Sequence, residues 1–223
     1  MNDVTSLPWE AHKPARTAKR IAESVGREIV DGSLSPGEVL TEVVVAERFG
    51  VSRTPAREAM LQLQRWGLVR LLPKKGALVT AVSAGERSDL LDIRATWEAR
   101  AVTLLEDDPS GRDALVTSLN ESIRTQQEAL DSGNLLQFAA EDFGFHVRIM
   151  DAAGNRVVSE LLEDLGPRFA RLTYLAVNNN ESSAHEFHRE HIELVELIRN
   201  GASAAYERAV RAHISSGHFG TTS

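Results

Sequence analysis

The chain has 223 residues, a formal net charge of −7, 42% hydrophobic residues and no cysteine. That length allows two domains with a core each, and the missing thiols exclude disulfides and thiolate metal sites. No apolar run reaches membrane-spanning length, and Met1 to Pro8 is polar without an apolar signal core, so the expected compartment is the cytoplasm, with no membrane partner.

An acidic balance argues against nucleic acid until the chain is divided. Residues 1–80 carry 12 Lys/Arg against 9 Asp/Glu, net +3, whereas residues 81–223 carry 13 against 23, net −10. A basic front on an acidic remainder is expected where one half meets phosphates and the other does not.

Met1 to about Pro14 reads as a flexible arm. From Arg16 to Val30, apolar residues at Ile21, Val25, Ile29 and Val30 predict a helix that stops at Asp31-Gly32. Ser35-Pro36-Gly37-Glu38 is a turn. Glu42 to Phe49 predicts a second helix, with Gly50 as its C′ residue. A third helix follows Val51-Ser52, capped by Ser52 or Thr54, with Pro55 in its first turn and Ala59, Met60, Leu63 and Trp66 as its buried stripe. Gly67 stops it. Leu68–Leu71 and Ala77–Thr80 are β-prone runs around Pro73-Lys74-Lys75-Gly76, a hairpin with a basic tip. Three helices and a two-stranded ribbon over residues 15–81 predict a winged helix-turn-helix.

In that motif the tip of the second helix of the pair meets base edges in the major groove. Arg53 and Arg57, four apart, leave one face and can reach guanine acceptors or phosphates. Ser52, Thr54 and the free N–H groups of the helix start suit phosphate. Lys74, Lys75 and Gly76 form the wing tip beside the flanking backbone. The expected partner is double-stranded operator DNA.

Residues 82–219 show helical periodicity throughout, with Ala81–Ala84 as the linker and Ser83…Glu86 as a capping box. Helices are expected at about 84–106, 110–132, 135–153, 156–178, 182–200 and 202–218, an all-α bundle that makes the chain mainly α. Asp142 and His146 lie four apart on one helix face, and His191 and His213 each fall in an amphipathic stretch that turns them inward. Carboxylate plus imidazole is a ligand set for zinc, nickel or manganese, and four buried ionisable groups call for a compensating cation. His188 is an alternative to His191, which is favoured because Ile192, Val195 and Ile198 frame it. His185 and His218 read as surface residues. Four protein ligands on a six-coordinate ion leave two positions open.

The run Val51-Ser52-Arg53-Thr54-Pro55-Ala56-Arg57-Glu58-Ala59-Met60 resembles the recognition-helix signature of GntR-type bacterial transcriptional regulators. Arg16 to Val79 follows that family's head, apart from Val43, where many relatives carry a DNA-contacting arginine. Roughly residues 84–216 resemble the all-helical FCD effector domain of the FadR subfamily. The anchors are Asp92-Ile93-Arg94 with Glu98, Asp142-x-x-x-His146 with Gly154-Asn155, His191, and Arg211-Ala212-His213. The resemblance implies a divalent metal on Asp142, His146, His191 and His213, zinc foremost, and a small carboxylate metabolite at its open positions. Arg94 is the natural counter-charge for that acid, unless it pairs with Glu98. Asn155 either touches the effector or caps the following helix, with the cap favoured. The implied function is a ligand-responsive regulator, a repressor by preference, that binds a palindromic operator as a homodimer and signals through the linker at Val82–Ser83. A structural metal with a bulky acyl-CoA-like ligand is the alternative. A metalloenzyme is disfavoured, because no spare Glu or His is placed as general base and the head would have no role.

Overall fold

The computed structural model describes Leu7 and residues 17–180 and 182–218. The rest of the N-terminal arm, the first residue of the Arg16 helix and the His218 side chain lie outside the described residues; Leu7, within the expected arm, is buried in the body's core. The order is α1 (Thr17–Val30), β1 (Val39–Leu40), α2 (Glu42–Phe49), α3 (Arg53–Arg65), β2 (Val69–Leu72) and β3 (Gly76–Val79), followed by six helices. These are α4 (Ala84–Leu104), α5 (Pro109–Asp131), α6 (Leu135–Asp151), α7 (Arg156–Asn179), α8 (Ser182–Arg199) and α9 (Ser203–His218).

In the head, Thr41 caps α2 by accepting from the Val44 N–H at 3.2 Å, and Gly50 ends it in the left-handed region at φ 63°. α3 begins after Ser52, whose side chain makes no capping bond. Its inner stripe of Ala56, Ala59, Met60 and Leu63 is buried with Trp66 against Ile21, Val25 and Ile29 of α1. The expected two-stranded ribbon is a three-stranded antiparallel sheet in the order β1-β3-β2. Val39 pairs with Leu78 and Leu40 with Ala77, while Leu72 pairs with Gly76 across the wing tip. β1 is two residues long, too short to carry a periodicity, and is fixed by a partner some forty residues away. Gly76 has φ 104°, and a Cβ there would lie 2.2 Å from the Leu40 carbonyl oxygen. Only glycine lets the wing close on β1.

The six remaining helices form an all-α body around a second core that includes Leu91, Leu119, Phe145, Ile149, Leu162, Phe169, Leu194 and Tyr206. Ser83 accepts from the Glu86 N–H at 3.1 Å, as the capping box requires. The Glu86 carboxylate, however, is engaged by the Arg168 guanidinium at 2.6 Å. The head also docks directly on the body: Val30 joins the body's core, and Arg65 donates to Asp164 at 2.8 Å. No helix among the described residues is long and apolar enough to cross a membrane.

Candidate metal centre and DNA-reading face

α6 presents Asp142 and His146 one turn apart, α8 presents His191 and α9 presents His213. All four are buried, and one ligand atom from each lies within 4.8 Å of the others. His146 Nε2 is 3.2 Å from both His191 Nε2 and His213 Nε2. Asp142 Oδ1 is 3.4 Å from His191 Nε2 and 3.8 Å from His146 Nε2.

The opposite ring nitrogens explain why this arrangement suits a cation. His146 Nδ1 lies 3.0 Å from Glu98 Oε2, His191 Nδ1 2.7 Å from Gln126 Oε1, and His213 Nδ1 2.7 Å from Glu190 Oε2. An oxygen acceptor on each Nδ1 places the proton there and leaves Nε2 as a lone pair, the tautomer a metal ligand needs. Three inward lone pairs and a carboxylate oxygen then face one another. Asp142 Oδ1 has no hydrogen-bond partner, while Asp142 Oδ2 accepts from the Thr173 hydroxyl at 2.7 Å. Ligands bound at about 2.0–2.1 Å stand roughly 2.8–3.4 Å from their nearest neighbours in octahedral to tetrahedral geometry. Three of the four separations above already fall there, so these residues fit a divalent ion.

Burial, reinforced by the neighbouring His146 ring and the Arg94 guanidinium, holds the His191 imidazolium pKa well below its usual value. The neutral ring is therefore the resident form. Phe145 stacks on it with centroids 4.2 Å apart. Glu98 is itself fully buried and accepts from the Tyr206 hydroxyl at 2.7 Å. Burial and the adjacent Glu98 carboxylate push the Tyr206 hydroxyl well above its usual pKa, so it remains a donor.

Arg94 borders the same pocket at 2% exposure, with Nε 3.5 Å from Glu98 Oε1 and Nη1 3.8 Å from Asp142 Oδ2. Its Nε and Nη2 have no hydrogen-bond partner. The expected pairing with Glu98 is present, yet the guanidinium keeps unused donors. Asn155 is exposed, and its Oδ1 accepts from the N–H groups of Val157 and Val158 at 3.1 and 3.3 Å. Its oxygen serves the cap of α7. His188 faces the Ile123 carbonyl at 3.2 Å and is not in the four-residue cluster. His185 is exposed. The expected framing by Ile192 is corrected: that side chain is 44% exposed, and Phe187, Leu194, Val195 and Ile198 form the buried stripe of α8.

Glu98 was legible as the partner of Arg94 but not of His146. Gln126, Glu190, Thr173 and Tyr206 went unnoticed. Gln126 and Thr173 carried a signal, each being polar within an otherwise buried helical stripe.

At the other end, Ser52, Arg53, Thr54 and Arg57 are exposed at the start of α3, and Lys74 and Lys75 are exposed on the wing, with Lys74 at φ 59°. An open groove of about 450 Å³ separates the helices from the wing, edged by Glu42, Val43, Arg57, Lys74 and Lys75. Glu42 lies 3.8 Å from Arg57 Nε. Both sides are exposed, so the pair is weak and leaves Arg57 available.

Residues 17–79 match the model of the gntR family of bacterial regulatory proteins, and residues 89–216, more than half the chain, match the FCD domain. The HTH-type transcriptional regulator YdhC of Bacillus subtilis is 27% identical, across 93% of this chain and 92% of that protein. The HTH-type transcriptional repressor RspR of Escherichia coli is 26% identical, across 88% and 85%. The solved structure of E. coli McbR/YncC shares the fold with a TM-score of 0.73 at 19% identity, covering 91% of this chain and 95% of that one. The chain belongs to the GntR family of bacterial regulatory proteins, in the group that carries an FCD domain, and is a transcriptional regulator and not an enzyme.

Proposed function

We propose that this regulator is a repressor that binds a palindromic operator as a homodimer and answers to a small carboxylate metabolite bound beside a divalent cation. The observation that carries the reading is the convergence of three Nε2 lone pairs and the partnerless Asp142 Oδ1, with every Nδ1 held by an acceptor. Asp142, His146, His191 and His213 would hold the ion, zinc foremost, with nickel and manganese tolerated by the same donors. The bound ion supplies a Lewis-acidic anchor for a carboxylate. The spare donors of Arg94 would orient that acid and oppose its charge. Asn155 commits its oxygen to the helix cap, so only its amide N–H groups would be open to the effector.

The exposed Arg53 and Arg57 would reach base edges, with Ser52, Thr54, Lys74, Lys75 and the backbone at Gly76 on phosphates. One head reads one half-site, so a two-fold pair reads an inverted repeat. The effector shifts the arrangement of heads only by its differential affinity for the two states. Two contacts, Arg65 with Asp164 and Arg171 with Thr80, join head and body beyond the linker, so Val82–Ser83 is not the sole route for that signal.

The test is retention of genomic fragments by the metal-stripped full chain with zinc alone, candidate acids alone, and both together. Retention altered only by zinc and acid together supports the reading. Retention set by zinc alone would make the ion itself the signal.

A further inference from the structure

α7 lies between the ligand-bearing bundle and the head, and its two long stripes serve different partners. Leu162, Gly166, Phe169 and Thr173 turn into the bundle and are buried. A Cβ on Gly166 would lie 2.7 Å from Phe143 Cζ, so α6 and α7 meet with no room for a methyl group, next to Asp142. About two turns further on, Thr173 donates to Asp142 Oδ2 at 2.7 Å.

Asp164, Arg168 and Arg171 form the opposite stripe. Asp164 accepts from Arg65, the last residue of α3, at 2.8 Å. The Arg168 side chain packs on the turn after α3, where a Cβ on Gly67 would lie 2.9 Å from Arg168 Cδ. Arg171, only 4% exposed, reaches Thr80 Oγ1 at 3.4 Å and has no partner for Nε. Thr80 in turn donates to the carbonyls of Gly67 and Leu68 at 3.0 Å. The end of the recognition helix, its following turn and the exit of the wing are thus all held by one helix.

We propose that Thr173, Asp164 and Arg168 are positioning residues that tie the recognition helix to Asp142, so that cation occupancy is felt at the DNA-reading face through α7. The inference rests on the metal reading above. Drawing Asp142 Oδ1 toward a cation moves the carboxylate whose other oxygen Thr173 holds. A glycine-tight α6–α7 contact has no slack in which to absorb that movement, because packed interfaces shift as bodies.

Hydrogen–deuterium exchange of the metal-stripped full chain, with and without added zinc, tests this. In the wild type zinc should slow exchange in α6, α8 and α9 and also in residues 62–72 of the head. The head effect should be about two- to thirtyfold, the span of typical single-position couplings. With zinc added to saturation, to offset the weaker binding that loss of an outer partner brings, Thr173→Val should keep the body effect and lose the head effect, and Thr173→Ser should restore it. Asp164→Asn combined with Arg168→Gln should likewise abolish the head effect while zinc affinity stays unchanged, and this pair decides the matter if Thr173→Val does not fold. Slowing of the body without the head in the wild type overturns the coupling and spares the metal site. Head slowing that survives both sets of substitutions overturns the route. Zinc without effect on any segment overturns the metal reading, and the coupling with it.

Discussion

Glu98→Gln removes the carboxylate that holds His146 while keeping its size. In the wild type Glu98 Oε2 receives the His146 Nδ1 proton at 3.0 Å and the Tyr206 hydroxyl at 2.7 Å, in a site with no solvent access. A neutral amide is a weaker acceptor, so His146 Nε2 becomes a less basic ligand. Its NH2 group could also face the ring and favour the wrong tautomer. Loss of an outer partner of this kind lowers metal affinity about 10–100-fold, or roughly 1.4–2.8 kcal/mol. The same change leaves the buried Arg94, 3.5 Å from Glu98 Oε1, with less compensation. Breaking a buried pair outright costs about 3–5 kcal/mol, and the retained amide oxygen should keep the loss below that. The assay is competition for zinc against a chromophoric chelator at pH 7.5, with circular dichroism to establish folding. A folded Glu98→Gln protein with wild-type zinc affinity would refute the view that Glu98 sets the His146 ligand.

Arg57→Ala should weaken operator binding by about 1–3 kcal/mol and relax the preference at one base pair; selection of binding sites from random DNA checks this, and an unchanged consensus removes Arg57 from the reading set. Gly76→Ala should destabilise the head through its φ of 104° and the 2.2 Å approach to Leu40, by more than about 1 kcal/mol, and a melting curve equal to wild type would contradict that. Burial depresses the His191 pKa in the folded chain, so the unfolded chain takes up a proton at about pH 6.5 that the fold refuses. Metal-free protein should therefore hold its stability above about pH 6.5 and lose it steadily below, as urea unfolding at pH 7.5 and 5.5 will show; equal midpoints would argue that His191 is not buried in the neutral form.

Local chemistry made most of the fold legible. The end of α2 follows from Gly50, and the wing follows from alternating apolar residues around a Lys-Lys-Gly tip. The metal ligands were readable because Asp142 and His146 share a helix face, and because His191 and His213 interrupt apolar stripes. β1 escaped, since a two-residue strand is defined only by its distant partner. The same holds for Gln126 on His191 and Glu190 on His213: each contact joins two helices, and no spacing within one helix encodes it. Ile192 was misplaced because a hydrophobic residue beside a buried histidine need not share its face; successive helical residues point about 100° apart. The docking of Arg65 and Thr80 on α7 was likewise invisible, being a relation between two separately readable halves.

X-ray absorption at the zinc edge of the reconstituted full chain bears most directly on the cation site. The expected spectrum has nitrogen and oxygen neighbours alone at about 2.0–2.1 Å, with the multiple-scattering signature of three imidazoles, falling to two or to no bound zinc in His146→Ala. A first shell without imidazole, or zinc uptake untouched by His146→Ala, would contradict the assignment of Asp142, His146, His191 and His213 as the site.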